Sequence, residues 1–207
     1  MPVRPAQRLH ELRTLAHRSG ATDAEVAAVL PGDDLVPDAT DVVDRAVTLP
    51  APPQQVWPWL AQLGKGRAGW YFPAQVERFV PAGRRGLRHI DAALTDVRVG
   101  QDHADWGPGT PVLRIVALEP ERLLLFHSLR DTRNDHRWPA DGRDGDGVFA
   151  MSWGQLLTLD GPDRTRLHLR LRMRTKSKLL AAAGGAFDWA TVELMFTGLR
   201  ERVATAR

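Results

Sequence analysis

The sequence FDWATVELMFTGLRERVATA, residues 187–206, places its large apolar side chains at a three-then-four spacing. At 3.6 residues per turn, this spacing puts them on one face of a helix. The stripe consists of Trp189, Val192, Phe196, Leu199 and Val203, with Met195 beside it. Because each fully buried side chain of this kind contributes about 1.5–3 kcal/mol, the helix is predicted to pack against an apolar surface.

That surface is predicted by the strand upstream, RLHLRLRMR at 166–174. Apolar and basic residues alternate along it, which places one set on each face of a β-strand. One face carries Leu167, Leu169, Leu171 and Met173, and the other carries Arg166, His168, Arg170, Arg172 and Arg174. A shift by one residue would turn the basic side chains into the core, so the pattern specifies the register.

The rest of the chain predicts a helical arm followed by an α+β domain. Thr22 and Glu25 form a capping-box pattern. Helices are predicted at 6–18, 22–30, 52–63, 74–80 and 187–206, and strands at 42–49, 99–105, 112–118, 122–129, 149–159 and 166–174. The chain is thus divided into an arm and loop at 1–40 and a domain at 41–207, in which the last helix lies on an antiparallel sheet. The polar segment 131–147 is predicted to be a mobile loop or lid, and 181–186 a flexible link.

Composition excludes several classes of protein. The 207 residues suit one domain with an extra terminal segment, and the absence of cysteine excludes disulfides, thiolate metal sites and a cysteine nucleophile. No apolar run approaches the roughly 20 residues that span a bilayer, and the N-terminus lacks the apolar region of a signal peptide, so a cytoplasmic protein is expected. The net charge of +3 is too modest to indicate nucleic-acid binding.

Four stretches resemble the START-like or SRPBCC superfamily, in particular its actinobacterial polyketide cyclase/dehydrase-like branch. They are GATDAEVAAVLPGDDLVP at 20–37, APPQQVWPWLAQLGKGRAGWY at 51–71, SWGQLLTLDGPDRTRLHLRLRMR at 152–174 and VELMFTGLRER at 192–202. Relatives often carry a YSYDWLE-like run after the RAG turn. Here residues 70–78 keep the aromatics but lose the Tyr-Asp pair, so no contact of that pair is carried over.

The resemblance implies a helix-grip fold, in which a curved antiparallel sheet wraps around the long C-terminal helix. It also implies an internal cavity that holds a lipid, polyketide, sterol or other apolar molecule. Some members of this superfamily are cyclases, and many only bind or carry their ligand. No cofactor is expected.

Ligand contacts are predicted from the inward face of the strands, the aromatic segment after the RAG turn and the helix stripe. Seven tryptophans could supply a lining for a planar ligand, although core packing is favoured for Trp59 and Trp189. The predicted ligand-binding residues are Trp70, Tyr71, Phe72, His127, Phe149, Met151, Trp153, Trp189, Val192, Phe196 and Leu199.

Two residues are weak candidates for proton transfer. His127 follows Leu123 and Leu125 at a period of two, which could place it on the cavity face, and Tyr71 lies in the aromatic segment. A hydrogen-bonded wall residue without chemistry is the favoured interpretation of His127.

The remaining polar residues are predicted to have no catalytic role. His168 should lie on a solvated strand face, and His89 and His103 should be solvated loop residues. The short run from Asp102 to Asp105 is not expected to bind a metal, since such turns are usually only solvated. Likewise, the arginines of 166–174 are expected to face solvent, with an acidic partner or nucleic acid as the alternative.

Three functions remain open at this point. The first is binding of an apolar or aromatic molecule, lipid- or polyketide-like, between sheet and helix. The second is a cyclase or dehydratase in which a polar wall residue moves a proton. The third is an interaction module that uses the basic outer face. A cavity above about 300 Å³ would support the first two and a packed interior the third.

Overall fold

The computed structural model describes residues 17–174 and 178–205, without the side chains of 178–188. Residues 6–16 of the predicted N-terminal helix lie outside the described residues. The helices are α1 Asp23–Ala27, α2 Pro53–Gln62, α3 Ala74–Glu77, α4 Ala92–Thr95 and α5 Lys178–Thr205, with a 3-10 turn at Ala82–Arg84. The strands are β1 Arg18–Ser19, β2 Asp41–Leu49, β3 Asp102–Ala104, β4 Val112–Glu119, β5 Leu123–Asp131, β6 Val148–Leu159 and β7 Thr165–Arg174.

The strands form one open, curved sheet in the order β1-β2-β7-β6-β5-β4-β3. β1 runs parallel to β2, and the other neighbouring pairs are antiparallel. Long β6 and β7 form a hairpin around Gly161, whose φ of 103° suits a residue without a side chain. The protein is therefore α+β, as predicted. None of the described helices is both long and apolar enough to cross a membrane.

The apolar face of the sheet, called the inner face below, packs against α5. Val192, Met195, Phe196, Leu199 and Val203 are buried there, as the stripe predicted. They meet strand residues and the buried face of α2 in one core, whose members include Leu49, Val56, Trp59, Leu60, Leu167 and Leu169. The helix also extends further than predicted, because it begins at Lys178 and so includes the proposed link at 181–186.

A buried arginine holds the C-terminal half of α5 in place. Arg202 is completely buried, contacts the carboxylate of Glu77 at 2.6 Å and lies over the ring of Tyr71 at 4.5 Å. It also donates to the carbonyls of Phe72, Gly86, Leu87 and Gly198. Gly198 lets α5 pack closely against the backbone of Tyr71, because a Cβ at position 198 would lie 2.5 Å from the carbonyl oxygen of Tyr71.

The opposite, outer face of the sheet is not the solvated surface that the pattern predicted. Segment 17–40 lies across it, and its α1 begins with the expected capping box of Thr22 and Glu25. His168 and Arg170 are each 6% exposed, so the expectation of a surface histidine is wrong. Sequence periodicity separates the two faces of a strand, but it does not say what covers each of them.

The segment 131–147 connects β5 to β6 and makes several contacts with neighbouring residues. Its Trp138 packs edge-to-face on His127, with ring centroids 5.7 Å apart, and beneath the guanidinium of Arg114 at 4.2 Å. Thr132 donates to the carbonyl of Gly147 across the base of the connection. These contacts lie on the outer face, so the segment does not close over the inner face as a lid.

Candidate functional site

A cavity of about 210 Å³ lies between the inner face of the sheet, the turn after α2 and α5. Its wall is mostly apolar and unusually rich in aromatic rings. The lining residues are Leu63, Gly64, Trp70, His103, Ala104, Asp105, Trp106, Leu113, Phe126, Met151, Trp153, Leu171 and Thr191. Trp106, which is 43% exposed, marks the edge where the cavity meets the surface.

The aromatic side chains form a continuous row along this wall. Trp70 and Trp153 are stacked with centroids 6.4 Å apart, Trp153 and Phe126 are stacked at 5.7 Å, and the ring of His103 follows Phe126 at 5.5 Å. Trp106 stands edge-on to Trp70 at 5.4 Å. Such a row offers ring faces and edges to a planar ligand.

Strand register brings these residues together from distant parts of the sequence. Phe126 of β5 pairs with Trp153 of β6, which pairs with Leu171 of β7, so the three project from the same face of the sheet. His103 is paired with Leu113 at the β3 edge. On the other side, the indole nitrogen of Trp70 donates to the carbonyl of Thr191 at 3.0 Å, which ties the wall to α5.

His103 is a buried polar residue in this apolar wall. It is 4% exposed, and its Nε2 has no hydrogen-bond partner among the described residues. Burial, together with a smaller effect of the nearby positive charge of Arg67, lowers the pKa of His103 to about 4, against a still smaller opposite effect of Asp102. The imidazole is therefore neutral at physiological pH. This finding corrects the prediction of a solvated loop residue, because the short β3 strand turns His103 inward.

The rim of the cavity carries the ion pair of Asp105 and Arg130, and both side chains make further contacts within the protein. The carboxylate of Asp105 accepts hydrogen bonds from Arg130 and from the backbone N–H of Trp106, and Lys65 donates to the Asp105 carbonyl. Arg130 also donates to Ser128 and lies over the ring of Phe149. The rim is thus held by internal contacts.

A second polar residue on the inner face was not predicted. Arg45 of β2 is 1% exposed and, with Trp153 and Leu171, lines a small void of about 10 Å³ that lies beside the cavity. The sequence contains a signal for this position: Arg45 lies two residues from both Val43 and Val47, so the three side chains share one face of β2.

The structure brings some of the predicted ligand-binding residues together and separates others. Trp70, Met151 and Trp153 line the cavity, and Phe149 packs beside the neighbouring core cluster. Val192 lines the small void, and Phe196 and Leu199 are buried in the main core. Phe72 is not among the lining residues, and Trp189 is 43% exposed, which corrects the prediction of core packing for its side chain.

Tyr71 is a core residue with a satisfied hydroxyl group. Its hydroxyl donates to the carbonyl of Trp59 at 2.9 Å and accepts from Gln62 at 3.0 Å. Burial raises the pKa of Tyr71 well above its usual value. The residue lies behind the cavity wall, since α2 and Arg202 enclose its ring.

His127 faces away from the cavity, contrary to the cavity-facing position predicted for it. In β5 the inward residues are Leu124 and Phe126, so His127 points to the outer face, where it meets Trp138. Burial lowers the pKa of His127, and its Nε2 also has no partner among the described residues. The period of two was correct, but the wrong set of β5 residues was assigned to the inside.

Within the described residues, no group of three or more histidine or acidic side chains is arranged to hold a metal ion. In the run from Asp102 to Asp105, both carboxylates are bound by arginines. Arg114 donates to the two oxygens of Asp102 at 2.7 and 2.8 Å, and Arg130 pairs with Asp105.

Comparison with known proteins shows the fold. No family model and no curated protein matches the sequence. Hypothetical protein jhp0584 from Helicobacter pylori has a similar structure, with a TM-score of 0.52 and 15% identity over 90% of this chain and 100% of that one. Protein MLL2253 from Mesorhizobium loti has a TM-score of 0.46 and 18% identity over 80% of this chain and 98% of its own. DynU16, from the dynemicin biosynthetic locus, has a TM-score of 0.44 and 18% identity over 80% of this chain and 48% of its own.

Proposed function

We propose that this chain is a START-like (SRPBCC) helix-grip domain that binds an apolar or aromatic small molecule between the sheet and α5. The arrangement of a curved antiparallel sheet against a long C-terminal helix supports the helix-grip assignment. The four stretches that resemble the superfamily support it independently, since they supply α1, α2, the β6–β7 hairpin and α5.

The cavity is the observation that carries the proposal, although at about 210 Å³ it is smaller than the expected minimum of about 300 Å³. Protein interiors are close-packed, and voids much larger than a water molecule are rare. Here that space is left open beside four aromatic rings, three of which stack in a row. Filling that space with larger side chains would stabilise an inert protein. A retained opening lined by ring faces therefore indicates a site for an apolar ligand.

The two alternative functions have less support. The cyclase or dehydratase hypothesis relied on His127 or Tyr71, and neither lies in the cavity wall. The interaction module needed a free basic face, yet Arg166, Arg170 and Arg172 are bound to segment 17–40. Binding is thus the function that the geometry favours.

The test is to fill the cavity without changing the rest of the protein. Leu171→Trp adds a ring on the inner face, and Leu159→Trp makes the same change at a position that is 70% exposed. We expect naphthalene to bind the wild type and the Leu159→Trp variant in equilibrium dialysis, and Leu171→Trp to lose binding by more than tenfold. Native mass spectrometry of the purified protein should also detect a retained small molecule. Absence of naphthalene binding to the wild type would contradict the proposal.

A further inference from the structure

We propose that the ligand is an aromatic molecule of one or two rings that carries a hydroxyl group, and that His103 forms the hydrogen bond that selects it. This inference rests on the proposed function. It adds the size and polarity of the ligand and one specificity-determining residue.

The size follows from the volume of the cavity. A dry cavity of about 150 Å³ accommodates benzene, and pockets for drug-sized ligands span about 300–1,000 Å³. The cavity here, at about 210 Å³, lies between these values. It therefore fits one or two fused rings, and it is too small for a sterol or a polycyclic polyketide as expected from the resemblance.

The polarity follows from His103. Its ring continues the aromatic row after Phe126, it is 4% exposed, and its Nε2 has no partner among the described residues. A buried polar group without a hydrogen bond destabilises the folded protein. His103 lines the cavity, so a bound molecule can offer the imidazole a hydrogen-bond partner.

Two other polar groups of the wall already have partners. The carboxylate of Asp105 accepts from Arg130 and from the N–H of Trp106. The carbonyl of Thr191 accepts from Trp70. Of these three wall residues, His103 is therefore the one with a buried polar atom that has no partner among the described residues.

A hydroxyl group matches this histidine better than the alternatives. A neutral imidazole has one nitrogen that donates and one that accepts. A hydroxyl group both donates and accepts, so it can pair with either nitrogen. A carboxylate would need a cationic partner to offset its desolvation, and the imidazole stays neutral since burial lowers the pKa of His103 to about 4.

The experiment compares 2-naphthol, naphthalene and 2-naphthoate by equilibrium dialysis at pH 7. We expect the wild type to bind 2-naphthol about five- to tenfold more tightly than naphthalene, which corresponds to one net hydrogen bond, and to bind 2-naphthoate most weakly. His103→Phe should keep naphthalene binding and lose the preference for 2-naphthol. His103→Gln, which retains donors and an acceptor, should keep part of that preference and provides a second variant if His103→Phe does not fold.

The matched control is His127→Phe. His127 also has a buried Nε2 without a partner among the described residues and a pKa lowered by burial, but it lies on the outer face. It should leave the preference for 2-naphthol unchanged. Equal binding of naphthalene and 2-naphthol to the wild type would overturn the hydroxyl inference while leaving the proposed function intact. Tighter binding of 2-naphthoate than of 2-naphthol would likewise overturn the hydroxyl inference and leave the proposed function intact. Failure of all three compounds to bind would overturn both.

Discussion

On the outer face of β7, Arg170 makes five hydrogen bonds: to the carboxylates of Asp44 and Asp33 and to three carbonyls of segment 17–40. On the inner face, one residue further along the same strand, Leu171 borders a cavity of about 210 Å³. The basic side chains of β7 are thus covered and paired, whereas the apolar face is left partly open.

The two faces of the sheet differ in what burial requires of their side chains. Buried charges are costly unless each has a partner, so the arginines of β7 can be covered only when they are paired. Arg166 binds Glu25 at 2.7 and 2.8 Å, and Arg172 donates twice to the carbonyl of Val36. An apolar wall has no such requirement and tolerates an opening, at a modest cost in packing. The inner face is therefore where a ligand can be accommodated.

Removal of Asp44 should have the largest effect. Asp44 is 3% exposed and accepts from His168 at 2.7 Å and Arg170 at 2.8 Å. Asp44→Ala removes the buried carboxylate that these two groups share, and we expect a loss of about 3–5 kcal/mol in the free energy of unfolding, measured with urea. Asp38→Ala is the control, because Asp38 is 61% exposed in its pair with Arg174, and it should cost less than about 1 kcal/mol. A similarly small loss for Asp44→Ala would mean that the outer face is hydrated.

Acidification to pH 5 should destabilise the inner face through His103. In the unfolded chain this histidine binds a proton below a pKa of about 6.5, whereas in the folded protein its pKa is about 4. The unfolded state thus binds more protons between these values, and stability falls as the pH drops through that window. We expect the wild type to lose about 2 kcal/mol more than His103→Phe between pH 7 and pH 5.

Urea unfolding of both proteins at the two pH values measures this difference. His127, whose pKa burial also lowers, is present in both proteins, so its contribution cancels. An equal loss in the two proteins would show that His103 is protonated in the folded state at pH 5.

The smallest effect is expected at Glu25, on the outer face and in a more acidic window. The hydrogen bond from Arg166, with smaller contributions from Thr22, lowers the pKa of Glu25 from 4.5 to about 2 against the opposing effect of its partial burial. Its stabilisation is present above pH 4.5 and is lost as the pH falls toward 2. Glu25→Gln should cost about 1 kcal/mol at pH 7, allowing for solvent screening of this partly exposed pair. The difference from the wild type should vanish near pH 2 in urea unfolding, and a difference that persists there would contradict the assignment.

Local pattern was sufficient for most of the elements and for part of the site. The period of two in β7 and the capping box at Thr22 predicted their structure correctly, since both depend on neighbouring backbone geometry. Trp70 and Trp153 were predicted as wall residues and line the cavity. His103 was missed because a three-residue edge strand gives too short a pattern to assign a face.

The sequence by itself determined that β7 has one basic and one apolar face, and that the last helix has an apolar stripe. Only the tertiary structure decided that segment 17–40 covers the basic face, that His127 lies outside and His103 inside, and that an opening remains beneath α5. The physical reason is the separation along the chain of the residues that determine each feature. Alternation and helical spacing arise from the backbone geometry of adjacent residues, whereas burial, hydrogen-bond partners and empty volume depend on which distant segments come into contact.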